Sequence, residues 1–233
     1  MNNLILASTS TLFGQDYLSY LLPELKMLFK GVDCITFVPY ARPGGCSENY
    51  YTQKVRDTFA PLNIEVIGLD EVSDPSVALD QAKGLFVGGG NTFLLVKRLY
   101  DLNLMGPLNE ALTRGVPYLG TSAGSNICGL GMHNTNDMPI VHPPMLKTLG
   151  RVPFNINAHY LEPEANSTHM GETRETRIRE FQHQQKINVV GLPEGTWLRV
   201  QDNEVRVYGA HDAVVFPPDK PRYQVQSGKK LVL

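Results

Sequence analysis

Apolar positions change period repeatedly along the first half of the chain, from short continuous runs to helical spacing and back. Residues 4–7 (Leu-Ile-Leu-Ala) form such a run, the mark of a buried strand, with polar Ser8-Thr9-Ser10 behind it. Leu18, Leu21, Leu22, Leu25 and Leu28 then recur at helical spacing, and Pro23 within that stretch is expected to kink or shorten the helix. The pattern repeats with a strand over 35–38 stopped by Pro39, a loop at Pro43-Gly44-Gly45 and a helix over 49–59. A strand over 64–67, a helix over 75–82 and a strand over 85–87 follow, and the last runs straight into Gly88-Gly89-Gly90-Asn91-Thr92. Helices over 93–99 and 107–113 lead to an apolar run over 116–119. Strands alternating with helices in this way build a parallel sheet covered on both faces, and we read a flavodoxin-like, doubly wound α/β fold.

Beyond residue 120 the pattern changes. Asn134-Thr135-Asn136-Asp137 is rich in turn formers, short strands are expected over 139–141 and 154–158, and a charged helix over 174–181. From residue 189 onward strands and turns dominate, with runs over 197–200 and 205–208 joined by the polar turn Gln201-Asp202-Asn203-Glu204 as a hairpin. The C-terminal third is therefore expected to add antiparallel strands. No linker separates it, so residues 1–233 are read as one domain.

Composition narrows the class of function. With 233 residues, 42% of them hydrophobic, the chain can bury a large core, and a net charge of −2 supplies no electrostatic footprint for nucleic acid or an anionic membrane. Three cysteines, Cys34, Cys46 and Cys128, have no paired spacing, which indicates neither a disulfide framework nor a zinc site. No 18-residue apolar span or signal-peptide pattern is present, and the expectation is a cytoplasmic protein acting on a small molecule. Monomer and homodimer are both left open.

The chemistry is concentrated in Gly120-Thr121-Ser122-Ala123-Gly124. A serine on a sharp strand-to-helix turn needs nearly side-chain-free residues two before and two after it, and Gly120 and Gly124 meet that need. The amide of Ala123 then falls at a helix N-terminus, able to donate to a developing oxyanion. Gly88-Gly89-Gly90 ends another strand, and we assign Gly90 as the second oxyanion donor, with Gly89 and Asn91 lining the substrate. The competing phosphate cradle lacks the Gly-Lys-Ser/Thr of a P-loop, and Phe93 interrupts a GxGxxG spacing. Of the six histidines, His133, His142, His159, His169, His183 and His211, His159 follows an expected strand end downstream of the serine and is chosen as base. His133 and Asp137 have no third ligand at matching spacing, so neither a metal nor any other cofactor is expected. Two carboxylates compete to orient the histidine, Asp137 and Glu194, and each has an ordinary alternative as a turn residue.

As a set, Val87-Gly88-Gly89-Gly90-Asn91-Thr92-Phe93, Gly120-Thr121-Ser122-Ala123-Gly124, Thr135-Asn136-Asp137-Met138-Pro139-Ile140, Asn157-Ala158-His159, Gly171-Glu172-Thr173-Arg174 and Gly191-Leu192-Pro193-Glu194-Gly195 resemble peptidase E, the α-aspartyl dipeptidase family of serine peptidases. The resemblance runs nearly end to end. It implies a fold similar to the class I glutamine amidotransferases, with serine replacing their cysteine, and hydrolysis of dipeptides with N-terminal aspartate. It implies Ser122 as nucleophile and His159 as base, supports both Asp137 and Glu194 for the third member, and implies Arg174 as receiver of the substrate's aspartyl carboxylate. Read from the residues alone, Arg174 sits in an alternating-charge stretch that usually marks a solvated helix face. The chain departs from the family at Thr121, where tryptophan often precedes the serine, and at Ala158, where proline often precedes the histidine. A cyanophycinase-like β-aspartyl peptidase and a non-catalytic binding module are the competing readings.

Overall fold

Alternate residues of the first strand face opposite layers, Leu4 and Leu6 one way and Ile5 and Ala7 the other, and all four are fully buried. That double burial is why the strands read as continuous apolar runs. The computed structural model describes residues 2–163, 168 and 170–233. Its elements run β1 (Asn3–Ala7), α1 (Leu22–Leu28), β2 (Cys34–Val38), α2 (Glu48–Phe59), β3 (Glu65–Gly68), α3 (Pro75–Asp80), β4 (Leu85–Val87), α4 (Thr92–Asp101), α5 (Met105–Thr113), β5 (Tyr118–Thr121) and the short α6 (Ala123–Asn126). They continue as β6 (Asn155–Ala158), α7 (Arg174–Gln184), β7 (Val189–Leu192), β8 (Thr196–Gln201), β9 (Glu204–Gly209), β10 (Ala213–Phe216) and β11 (Tyr223–Val225).

The main sheet has the order β3-β2-β4-β5-β1-β8-β9, and its first five strands are mutually parallel. Strand β1 lies beyond β5 and is flanked on its other side by the β8-β9 hairpin, which pairs antiparallel. A second sheet, β11-β10-β7-β6, is antiparallel except between β6 and β7, which run parallel. One hydrophobic core spans both sheets, joining Leu4, Val38 and Val87 to Phe154, Val190 and Val215 together with α4 and α5 residues. The opposite face of the main sheet packs on α1 and α2 through Phe37, Tyr51, Phe59 and Phe86.

One expectation is resolved and another changes. Pro23 shortens the helix rather than kinking it: a 3-10 turn over Ser19–Leu21 precedes it, and α1 begins around the proline, where a missing N–H costs nothing. Residues 139–141 form no strand. Pro139 cannot donate, Ile140 N–H folds back onto the Met138 carbonyl, and Met138 and Ile140 are exposed, so the segment has neither a pairing partner nor a buried face. No described helix is long and apolar enough to cross a membrane.

The first helical turn after β5 rests directly on β4. A Cβ on Gly124 would lie 2.2 Å from the Val87 carbonyl oxygen, and one on Gly120 would lie 2.6 Å from the Gly124 oxygen. Gly124→Ala is therefore expected to lower the melting temperature by about 3–10 °C, from an overpacking cost of about 1–3 kcal/mol in a chain of this size. A thermal melt matching wild type would show that the strand and helix have more freedom than this contact allows.

Candidate active site

The carboxyl ends of six strands converge on one edge of the fold, where open α/β sheets place their ligands. Ser8 follows β1, Ala41 and Arg42 stand beyond β2, Gly88 to Gly90 follow β4, Ser122 follows β5, His159 follows β6, and Glu194 stands just beyond β7. Ser122 has φ 51° and ψ −110°, a region that residues with a side chain rarely occupy. Its own amide donates to the Ala7 carbonyl at 3.0 Å, and its carbonyl accepts the amides of Ser125 and Asn126, so the turn is fastened on both sides. His159 also has a left-handed φ of 55°, and its amide donates to Ser8 Oγ at 2.9 Å while Ser8 Oγ donates to the Leu192 carbonyl at 2.7 Å. One serine thus ties the turn after β6 to the end of β7.

These constraints bring three of the expected residues into line. His159 Nε2 lies 2.9 Å from Ser122 Oγ, and His159 Nδ1 lies 2.8 Å from Glu194 Oε1. With Nδ1 carrying the proton toward Glu194, Nε2 is free to accept from the serine hydroxyl. Tyr20 closes the side near Glu194. Burial chiefly, and the Glu194 charge secondarily, raise its phenol far above the ordinary range, so it stays a neutral donor, bonded to the Thr9 carbonyl at 2.6 Å.

Asp137 does something else. Its Oδ2 accepts from the Thr92 amide at 2.7 Å, the Thr92 hydroxyl at 2.5 Å and the Thr135 hydroxyl at 3.0 Å, and among the described residues the His159 ring bonds only to Ser122 and Glu194. Asp137 is thereby committed to the start of α4, directly behind the glycine run. The Asn91 side chain is also committed, accepting from the Leu94 amide at 3.0 Å as a helix cap and donating to the Met138 carbonyl at 2.8 Å.

Within the glycine run only one amide is left over. The Gly88 N–H goes to the Val38 carbonyl, and the Gly89 N–H to the Tyr51 hydroxyl at 3.0 Å, which removes Gly89 as a donor to substrate. Gly89 instead provides space: a Cβ there would lie 3.1 Å from Ser122 Cβ. Gly90 adopts φ 148°, with the Ala41 carbonyl oxygen 2.2 Å from where a Cβ would stand, so no other residue fits. Among the described residues, the amides of Gly90 and Ala123 have no acceptor.

Arg174 opens α7 beside a cavity of about 330 Å³ lined by residues that include Asn136, Asp137, Asn157 and Arg177. Its Nη1 donates to Asn136 Oδ1 at 2.7 Å, and Asn136 Nδ2 donates to the Ala158 carbonyl at 2.7 Å, linking Arg174 to the strand that carries His159. Burial, then the neighbouring Arg177 charge, lowers the Arg174 pKa, with Asp137 opposing the shift. The solvated-face expectation for this helix holds at Arg177 and Glu180 but not at half-buried Arg174.

His133, His142, His183 and His211 are exposed, while His169 lies outside the described residues. Sequence reasoning missed Ser8, Tyr51, Asn126 and Asn136. Asn126 Oδ1 accepts the Ala158 amide and its Nδ2 donates to Thr92 and Thr135, joining the oxyanion-side loop to β6. Its place four residues after Ser122 is the one local signal that pointed to it.

The model of peptidase family S51 matches residues 4–208. A Drosophila melanogaster protein named "Probable alpha-aspartyl dipeptidase" is 45% identical over 220 residues, covering 93% of this chain and 90% of its own. Peptidase E of Streptomyces coelicolor is 45% identical over 214 residues, covering 92% and 87%. The crystal structure of a peptidase from an acI-B1 Actinobacterium shares the fold, with a TM-score of 0.72 at 17% identity over 100% of this chain and 97% of that one. The chain belongs to peptidase family S51 and is a serine peptidase.

Proposed function

We propose that this chain, working as one catalytic domain, hydrolyses dipeptides with N-terminal aspartate through Ser122, His159 and Glu194. The observation that carries the reading is the unbroken run of hydrogen bonds from Ser122 Oγ through both ring nitrogens of His159 to Glu194 Oε1. A relative named for α-aspartyl dipeptidase activity, 45% identical, supports the substrate class.

Ser122 Oγ attacks the peptide carbonyl as His159 Nε2 takes its proton. Glu194 holds the imidazole in the Nδ1–H tautomer and stabilises the imidazolium that forms. The unpaired amides of Gly90 and Ala123 receive the oxyanion, and each such donor is worth about 10²–10³ in turnover. His159 then returns the proton to the leaving amine, and water, activated in the same way, releases aspartate from Ser122. Arg174 receives the aspartyl carboxylate, whose geometry suits two parallel bonds from a guanidinium. Asp137 acts on this chemistry through Thr92, holding the loop that presents Gly90; it is a positioning residue, and Asn91 serves the same loop.

A substrate panel tests the assignment. Aspartate release from Asp-Leu should exceed hydrolysis of Asn-Leu by about a hundredfold or more, because asparagine leaves Arg174 unpaired, whereas Glu-Leu differs by one methylene and should lose about 10–200-fold. Equal rates on all three would remove aspartate as the substrate. Arg174→Met should cut kcat/KM on Asp-Leu by about ten- to a hundredfold and erase the preference over Asn-Leu. Retained preference would place the carboxylate elsewhere.

The two acids separate by size of effect. Glu194→Gln is expected to lower kcat on the order of 10³–10⁴-fold, as in other triads whose orienting carboxylate is neutralised. Asp137→Asn should cost only about ten- to a hundredfold and also lower the melting temperature, since it weakens charge-assisted bonds to Thr92 and Thr135. A larger kcat loss in Asp137→Asn than in Glu194→Gln would reverse the assignment.

A further inference from the structure

Arg42 is the one arginine among the described residues whose guanidinium makes neither a hydrogen bond nor an ion pair. Its Nε is buried without a partner, and its Cζ lies 4.6 Å from the centroid of the Tyr51 ring. Stacking on an aromatic face stabilises the cation but satisfies none of its in-plane donors. A partly desolvated, unpaired guanidinium is costly, and a bound anion offsets that cost.

Its position says which anion. Tyr51 is the residue whose hydroxyl accepts the Gly89 amide, and Ala41, directly before Arg42, packs its carbonyl against Gly90 and accepts the Asn91 amide at 2.7 Å. Arg42 therefore borders the same glycine loop that offers the Gly90 N–H. It does so from the α1 and α2 face of the sheet, where Tyr51 belongs to the core, whereas Arg174 reaches the edge from the opposite side through Asn136 and β6. Arg42 and Arg174, neither paired with a carboxylate, thus border the serine edge from opposite faces of the sheet. An Asp-X dipeptide carries two carboxylates, one on each side of the scissile bond.

We infer that Arg42 receives the α-carboxylate of the leaving residue, an assignment that rests on the dipeptidase reading above and adds to it a requirement for a free C-terminus. Arg42 is then a specificity-determining residue: it limits substrates to dipeptides, because an amidated or extended second residue presents a neutral amide to a cation.

The test compares kcat/KM for Asp-Leu and for Asp-leucinamide with wild type, Arg42→Met and Arg42→Lys. Methionine keeps an apolar stem against Tyr51, and because each preference is a ratio within one preparation, loss of folded protein cancels. Wild type should favour the free acid by about ten- to a hundredfold, the range for a hydrogen-bonded charge pair. In Arg42→Met that preference should collapse toward one, chiefly through KM, and Arg42→Lys should restore part of it. A wild type without preference, or an Arg42→Met that slows both substrates by the same factor, would overturn the assignment and make Arg42 a support for Tyr51 and Gly89. If wild type cleaves neither compound, the dipeptidase reading itself falls, an outcome distinct from cleavage without preference.

Discussion

The backbone of Ser122 is the constraint on which the rest of the edge depends. A non-glycine residue at φ 51° and ψ −110° costs about 1–3 kcal/mol, and it persists only where its surroundings leave no alternative. Here the surroundings are specific. The Ser122 amide is held by β1, the following helical turn is pressed onto β4 at Gly124, and Gly120 is bare enough to let the turn double back. Strain in the turn and the absence of side chains around it are one device: together they lift Oγ to the edge and leave the Ala123 amide unpaired beside it.

Around that turn lies a shell of neutral polar groups with little freedom. Ser8, Asn126 and Asn136 each bond to backbone at the end of β6 or at His159, so the histidine is placed by hydrogen bonds from three separate parts of the chain. The carboxylates divide the remaining work. Glu194 meets the imidazole at the exposed rim, and Asp137 anchors the start of α4. One acid thus faces the proposed chemistry, and the other holds the loop that the chemistry uses. The same division recurs in the amides of the glycine run, where Tyr51 and Val38 consume two and Gly90 keeps the third.

Much of this was legible in the sequence, for definable reasons. The parallel strands declared themselves because burial on both faces gives continuous apolar runs, and the elbow declared itself because its geometry demands glycine at fixed spacing. Segment 139–141 misled because a few apolar residues next to proline resemble a strand when no partner is in view. The choice between Asp137 and Glu194 was closed to sequence reasoning altogether. Both lie in turns, and only the packing of β7 beside β6 decides which carboxylate meets His159. Ser8 and Tyr51 were hidden for a related reason: their partners lie 151 and 38 residues away, and nothing local marks a serine or a tyrosine as a clamp.

The central claim is that Ser122, held in this strained turn, is the nucleophile, and the most direct measurement is aspartate release from Asp-Leu by wild type and Ser122→Ala under identical conditions. Removing a nucleophile of this kind costs about 10⁶ in kcat in a comparable triad, so the variant should show no release above background while melting at or above the wild-type temperature, freed of its reactive hydroxyl but keeping the same fold. Measurable serine-independent turnover by the well-folded variant would contradict the account and move the search for the hydrolytic group away from the elbow.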